Sequence, residues 1–377
     1  CSTGTKRTLP YHGTKTKQET DDNKRMKRYM RRYLSGLFSP HRAAALVWAV
    51  CLLTGCTAEE TDEWTSDGRT TSVTLRVPMA ETLTTRTTDA EYATDEEKIK
   101  TLRILVFSQD KPVINEAFNE AELSDGSVTI TGVPVGTVTF YAVANEEALG
   151  KDYSDMSNFE NNLVEVNGVK KAWVKDEEDP KHFPLRFTDP QVKKYGLPMS
   201  WVQRDMTIEP PGAEPQEIEV ELRRCVAKLN VIMSNTLSDP ITITEMRFGE
   251  FFGDQLYLFG ETSLDVPEGT DYGVKTYSEE NIEIKGYGSK TLACYIYPSY
   301  AWQDPTEVSP YTIGFSTASG QDYSDKFFID EYNGRLNFIP RNKQVNIYAT
   351  LSSAANLTIK FEVVEWTKKD ITVPPFN

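Results

Sequence analysis

The sequence predicts an all-β protein built as two β-sandwich domains in tandem. Three observations carry that prediction. Period-2 alternation of apolar and polar residues recurs from about residue 73 to the end of the chain. The alternating runs are short and are punctuated by Gly, Pro, Asn and Asp, which is the pattern of sandwiches and not of helix bundles. An acidic, proline-bearing stretch at 209–217 (EPPGAEPQE) approaches a domain boundary and divides the body into two similar portions, each long enough for a core. The length of 377 residues accommodates two domains. An apolar fraction of 39% with 11% aromatics supplies real cores and excludes a disordered chain.

The strands follow in order. Val73, Leu75, Val77 and Met79 alternate with Thr74, Arg76 and Pro78. Residues 99–107 (IKTLRILVF) form a nearly continuous apolar strand. Segments 128–130 and 138–143 (VTFYAV) are split by a turn-like breaker at 132–136 (GVPVG). Ile218, Val220 and Leu222 alternate with glutamates. Strands are then expected at 226–233, 241–248, 256–259, 282–284, 292–297, 311–315, 345–351, 357–364 and 371–373. Helical patterning is weak, with 146–165 the best candidate.

The N-terminus reads as an address. Residues 24–32 are rich in Lys and Arg, and 43–54 (AAALVWAVCLLT) is an uncharged run of 12 residues. That run is too short for a membrane-spanning helix, which needs about 20 apolar residues. A basic region before an apolar one of this length is a secretory signal peptide. Leu53-Thr54-Gly55-Cys56 then resembles the bacterial lipobox, whose cysteine is lipidated and becomes the mature N-terminus. The alternative is a buried apolar helix with a chance cysteine. Residues 1–25 precede a workable signal that starts at Met26 or Met30, and read as a leader or mis-assigned start. Residues 26–55 are then the signal and 56–70 a linker after Cys56.

Charge excludes one class of partner. The formal charge is −15, and 1–56 holds 11 Lys+Arg against three Asp+Glu. The remainder carries 30 basic and 53 acidic residues, net −23, which repels nucleic acid. Only His12, His41 and His182 occur, and there is no CxxC, HExxH or EF-hand loop, so no metal or cofactor is expected. Beyond Cys56 only Cys225 and Cys294 remain, either paired in an oxidising compartment or two separate buried thiols. No GxSxG or GxGxxG motif follows a strand, and there is no intact phosphate loop. Residues 286–291 (GYGSKT) have the wrong glycine spacing and read as a hairpin turn between Ile284 and Leu292. Acidic runs such as 176–179 (DEED) read as solvated loops and not as a glycosidase pair.

Several segments together resemble the Bacteroidales fimbrillins, the subunits of type V pili. The carriers are 73–86 (VTLRVPMAETLTTR) with the acidic loop after it, Tyr141-Ala142-Val143-Ala144-Asn145, and Leu197-Pro198-Met199-Ser200. Further carriers are 224–233 (RCVAKLNVIM), Ile339-Pro340-Arg341-Asn342-Lys343 and Val364-Glu365-Trp366. The resemblance covers roughly 50–377. It implies two transthyretin-like, Greek-key β-sandwiches, at 71–222 and 223–377, with few short helices. It implies a precursor lipidated at Cys56 in the outer membrane, then processed at the cell surface between Arg86 and Thr87. Arg86 lies 30 residues after Cys56 in a Thr-rich stretch between two strands. Arg69 and Arg76 compete with it, and Arg86 also reads as an ordinary surface arginine.

Removing the first strand leaves a groove that a C-terminal strand of another fimbrial subunit fills. The donor is Leu357, Ile359, Phe361 and Val363, or the tail with Ile371 and Val373. Alternatively 357–364 is the last core strand of the second domain. A structural, non-enzymatic fimbrial subunit is therefore expected, with other fimbrial subunits as partners and a host or bacterial adhesion ligand. The competing readings are an anchor that keeps its lipid and its first strand, and a lipid-anchored glycan-binding protein. The latter needs an aromatic platform from Trp173, Trp201, Trp302 and Trp366.

Overall fold

The computed structural model describes residues 68–77, 96–175, 189–212, 214–260, 265–278, 280–304, 306–352 and 356–366. All of them lie in one compact unit, Trp64–Asn377. The first half carries β1 (Thr70–Arg76), β2 (Thr101–Ser108), β3 (Lys111–Asn119), β4 (Ser127–Pro134), β5 (Gly136–Ala144), β6 (Leu163–Val166), β7 (Val169–Lys175), β8 (Met199–Ile208), β9 (Gln216–Glu219) and β10 (Arg223–Arg224). Its helices are α1 (Met156–Glu160) and α2 (Asp189–Tyr195). The second half carries β11 (Ala227–Asn235), β12 (Ile241–Gly253), β13 (Gln255–Tyr257), β14 (Tyr272–Tyr277), β15 (Ile282–Ile284), β16 (Ser289–Ile296), β17 (Thr312–Thr317), β18 (Asp322–Phe327), β19 (Lys343–Ser352) and β20 (Asn356–Glu365).

These strands build two sandwiches. In the first, the sheet β4-β1-β9 packs on the sheet β10-β8-β5-β2-β3. Their shared core draws only on residues between Val73 and Val220. In the second, β16-β11-β19-β20 packs on β14-β12-β17-β18, with β15 also on β12. That core draws on residues between Ala227 and Ile359. A third apolar cluster takes side chains from both halves, among them Phe107, Tyr141, Leu258, Tyr295 and Trp366. A small sheet, β13-β7-β6, hydrogen-bonds the second half to the first through Gln255–Tyr257 and Trp173–Lys175.

The third cluster explains the apolar run at 99–107. Leu102, Ile104 and Val106 face the first core, while Leu105 and Phe107 on the opposite face enter the shared cluster. A strand buried on both faces loses its alternation. Strand β5 is sorted in the same way, Phe140 and Ala142 to one side and Tyr141 and Val143 to the other.

Several sequence expectations change. The described part of the first strand ends at Arg76, with Val77 buried just beyond it, and Met79 lies outside the described residues. The breaker at 132–136 is mostly strand, since β4 runs to Pro134, β5 starts at Gly136, and Val133 is buried. The helical candidate 146–165 resolves into a 3-10 turn (Glu146–Leu149), α1 and part of β6. Residues 286–291 are a corner and not a hairpin. Strand β15 pairs with β12, whereas β16 pairs with β11 in the other sheet. Gly286 is required there, because a Cβ would stand 1.9 Å from the Ser238 carbonyl oxygen.

Cys225 and Cys294 are separate, buried free thiols in different clusters. The tryptophans form no common platform. Trp201 packs on the first core, Trp302 on the second and Trp366 in the shared cluster, while Trp173 donates to Gln255 Oε1 at 2.6 Å.

Candidate functional site

The site begins with β1. This strand is antiparallel to β4, with Val73, Thr74, Leu75 and Arg76 opposite Ile130, Thr129, Val128 and Ser127. It is parallel to β9, with the same four residues opposite Gln216–Glu219. Among the described residues, β1 is the one strand that hydrogen-bonds β4 and the one strand that hydrogen-bonds β9. Its ends are also tied. The Arg69 carbonyl accepts from Val135 N at 3.0 Å, the Arg76 carbonyl from Val220 N at 2.8 Å, and Val77 N donates to the Gly126 carbonyl at 2.8 Å.

Burial is one-sided, as the alternation requires. Val73 and Leu75 are 0% exposed and Val77 is 1% exposed, all in the first core. At about 1.5–3 kcal/mol per buried side chain, the strand contributes on the order of 5–9 kcal/mol of apolar burial. On the outer face Thr74 Oγ1 meets Thr129 Oγ1 at 3.2 Å and Arg76 pairs with Glu217 at 2.7 Å. Arg76 is therefore held in a paired strand, where the backbone resists a protease. Taking β1 away leaves an apolar furrow between two unsatisfied ladder edges, which is a template for another extended chain.

Ahead of β2, at Glu96, polar residues of the fimbrillin-like segments converge. Glu96 Oε1 accepts from Lys228 Nζ at 2.7 Å and from the Tyr295 hydroxyl at 2.6 Å, and Oε2 accepts from Trp366 Nε1 at 2.9 Å. Arg224 pairs with Glu97 at 3.3 Å and lies 4.4 Å from the centre of the Trp366 ring. Asn145 holds the next residues. It donates to the Lys98 and Leu197 carbonyls at 2.9 and 2.7 Å, and accepts from Lys100 N at 2.8 Å and Thr101 N at 3.3 Å. It does so from a left-handed backbone, φ 59°, which asparagine tolerates. Gly196 must be glycine, with φ 74° and a Cβ position only 2.3 Å from Asn145 Nδ2.

A second knot adjoins the first. The Arg341 guanidinium is buried and donates to the carbonyls of Tyr257 (3.2 Å), Leu258 (2.9 Å) and Arg224 (3.4 Å) and to Ser200 Oγ (3.2 Å). Ser200 in turn donates to the Leu258 carbonyl, and Cys225 Sγ lies 3.4 Å from Ser200 Oγ. Burial pushes the Cys225 thiol up, against the opposing charge of Arg341, so this thiol stays protonated and unreactive.

Burial alone pushes the Glu96 carboxyl up. The Lys228 charge and the hydrogen bonds from Lys228, Tyr295 and Trp366 outweigh it and hold the group below its ordinary value of 4.5. A depressed carboxyl stabilises the fold above its unfolded pKa, and that contribution is lost as pH falls through the folded one. Arg224 and Glu97 complete the charged surroundings. Denaturant unfolding of Glu96→Gln beside the parent should therefore show a deficit at neutral pH that shrinks below about pH 4.5. A deficit that is constant down to pH 3 contradicts this account of the cluster.

Other sequence-predicted residues fall elsewhere. Strand β20 makes ten residue pairs with β19, and Leu357 and Ile359 lie in the second core. Phe361 packs against that core in part, and Val363 is 42% exposed. This strand is thus an integral edge strand of the second sandwich. Cys56, Met79, Arg86, Thr87, Ile371, Val373 and His182 lie outside the described residues. Glu96 escaped the sequence reading because it sits in an acidic run with no local pattern. Asn145, Arg224, Lys228, Arg341 and Trp366 were present in the quoted motifs, but without roles. Among the described residues no His, Cys, Asp and Glu group is arranged to hold a metal, and no helix is long and apolar enough to cross a membrane.

A family model described as the fimbrillin-A associated anchor proteins Mfa1 and Mfa2 matches residues 65–372. Solved structures with similar folds include the tip fimbrial protein Mfa3 of Porphyromonas gingivalis with a C-terminal truncation (17% identity, TM-score 0.48, covering 78% of this chain and 98% of that one). A fimbrial assembly protein of Parabacteroides distasonis is similar at 14% identity and TM-score 0.46, covering 78% of this chain and 95% of that one. A fimbrilin of Porphyromonas gingivalis is similar at 11% identity and TM-score 0.44, covering 79% of this chain and 98% of that one. No curated protein sequence matches the chain.

Proposed function

The chain belongs to the family of fimbrillin-A associated anchor proteins Mfa1 and Mfa2, cell-surface fimbrial proteins and not enzymes, and we propose that it is a fimbrial subunit assembled by exchange of its first strand. The observation that carries this reading is the place of β1, the shared partner of β4 and β9 with its apolar face fully buried. In this reading the precursor is exported as a lipoprotein through Cys56 and is cut between Arg86 and Thr87. The two domains are 71–222 and 223–377.

While the chain is intact, β1 competes for its groove as part of the same molecule. A cut at Arg86 makes β1 a separate peptide and removes that advantage, which amounts to millimolar effective concentration. The donor strand of another copy then replaces it, keeping both ladders and refilling the apolar furrow. The tail with Ile371 and Val373 is the donor in this reading. The place of Leu357 and Ile359 in the second core supports the tail over β20 for this role, since withdrawing β20 would strip both from that core.

The family's character as anchor proteins favours a second reading, an anchor that keeps its lipid and its first strand. The N-terminal residue of the surface-exposed protein separates the two, lipidated Cys56 for an anchor and Thr87 for an exchanged subunit. The assembly experiment uses limited digestion of the folded precursor with an arginine-specific protease, followed by mass measurement and electron microscopy. The expected result is a stable product beginning at Thr87 that forms fibres. Arg86→Ala should block this, and deletion of 367–377 should leave a folded monomer that is cut but adds to no fibre. Normal assembly of Arg86→Ala rules out exchange triggered at this bond, and normal assembly of the truncated form rules out the tail.

A further inference from the structure

The last described residue of the tail side, Trp366, is 270 positions from Glu96 in sequence, yet the two share a hydrogen bond of 2.9 Å. We propose that Glu96 and Trp366 form a clamp that fixes the lead-in of β2 and the base of the C-terminal tail to one point, and so blocks the peeling of β20 from its sheet. The purpose of such a clamp rests on the strand-exchange reading; its geometry does not.

The peeling argument follows from topology. Strand β20 is an edge strand, paired along its length with β19 and held on its other side by the bond from Phe361 N to the Ile329 carbonyl at 2.9 Å. Its last pair is Glu365 with Lys343, joined by backbone register and by a side-chain ion pair. A pull on the residues beyond 366 loads the ladder at that end. Antiparallel pairs loaded from one end open one after another, so each step has to break only a bond or two. Trp366 stands immediately beyond the first pair to open. Its ring stacks on Tyr295 at 5.8 Å and 17°, lies 4.4 Å from the Arg224 guanidinium, and donates its N–H to Glu96. Tension therefore reaches Trp366 first and passes through Glu96 to Lys228 on β11 and to the 96–101 segment.

The same carboxylate holds that segment. Glu96 is fixed by both oxygens, Glu97 by Arg224, and Lys98, Lys100 and Thr101 by Asn145, while Ile99 is buried in the first core. A cut upstream at Arg86 would thus free β1 and leave β2 seated. The point where the tail begins and the point where the retained first sandwich begins are one site.

The test is peptide-resolved hydrogen exchange on the full-length uncut protein, comparing the parent with Glu96→Gln and Trp366→Phe. Trp366→Phe keeps an aromatic ring against Tyr295 and loses the N–H donor together with part of the ring area. Each variant should speed exchange in both 96–101 and 361–366 by about tenfold or more, the weight of one hydrogen bond to a charged group. Exchange in β12 and β17 should not change, and trypsin should begin to cut after Lys98. Acceleration confined to the mutated segment overturns the coupling, and uniform acceleration of all segments reduces the cluster to ordinary stability. No cut at Arg86 and no fibre is needed, so the clamp can stand if strand exchange fails, and fail if strand exchange stands.

Discussion

Leu75→Asp should unfold the first sandwich, or come close to it. Leu75 is fully buried, between Val128 on β4 and Ile218 on β9. The substitution forfeits about 1.5–3 kcal/mol of apolar burial. It also places a carboxylate where no cation faces it, at a further cost of several kcal/mol unless the group takes up a proton. The sum, about 4–6 kcal/mol, approaches the 5–15 kcal/mol by which domains are stable at all. Denaturant unfolding at neutral pH measures it. Leu75→Ala should cost about 2–4 kcal/mol, and Thr70→Asp, on the exposed start of the same strand, less than about 0.5 kcal/mol. A Leu75→Asp protein with the parental midpoint would mean that β1 is not a packed strand of the precursor, and the exchange reading would lose its groove.

Arg341→Met should give the next largest loss, about 3 kcal/mol. The guanidinium is the donor that reaches the Tyr257, Leu258 and Arg224 carbonyls together with Ser200 Oγ. Methionine fills similar volume but leaves acceptors without a donor, and each stranded buried acceptor costs about 1–3 kcal/mol. Leu258 keeps the Ser200 hydroxyl, which limits the damage. Arg341→Lys should recover little, because an ammonium cannot span the fork of acceptors. These contacts join β8 of the first sandwich to the backbone at 257–258 and 224. Unfolding that separates into two transitions in the variant, from one in the parent, would identify Arg341 as a tie between the sandwiches. An unchanged midpoint and a single transition would show that the knot contributes nothing to stability.

Some of this was legible in the chain and some was not, for definite reasons. The strands with one wet face announced themselves by alternation, as with Val73, Leu75 and Val77, or Leu357 and Ile359. Strands with little burial did not. Most of β3 and the outer part of β8 are exposed or half-exposed, so their sequences (KPVINEAFN and MSWVQRDMTI) carry polar residues at both phases and were passed over. Strands β6, β14 and β18 give no signal for the same reason, short runs with weak apolar contrast, and in β7 the buried Ala172 and Val174 are masked by the lysines beside them. The breaker at 132–136 misled because Gly132 and Pro134 sit at the end of an edge strand, where both are tolerated.

Strand β1 was half legible. Its apolar face could be read from period 2, but its partners could not. Pairing with β9, more than 140 positions away and parallel, has no local signature. The Glu96 cluster is further from sequence logic still. A carboxylate in an acidic run is, on composition, one more solvated charge. It becomes a half-buried, three-donor site because Lys228 on β11, Tyr295 on β16 and Trp366 just past β20 arrive from distant parts of the chain.

The sequence by itself determined the all-β class, the faces of the two-sided strands, and the apolar stripe on β1, because burial of alternate side chains is a property of neighbours two residues apart. Tertiary structure alone decided that β1 bridges β4 and β9, which among the described residues hydrogen-bond no other strand, that Cys225 and Cys294 stay apart, and that the tail base rests on Glu96. Those outcomes depend on which strand edges and which polar tips meet in space. Desolvation makes such meetings specific, since a buried edge or charge must find its one complement wherever in the chain it lies.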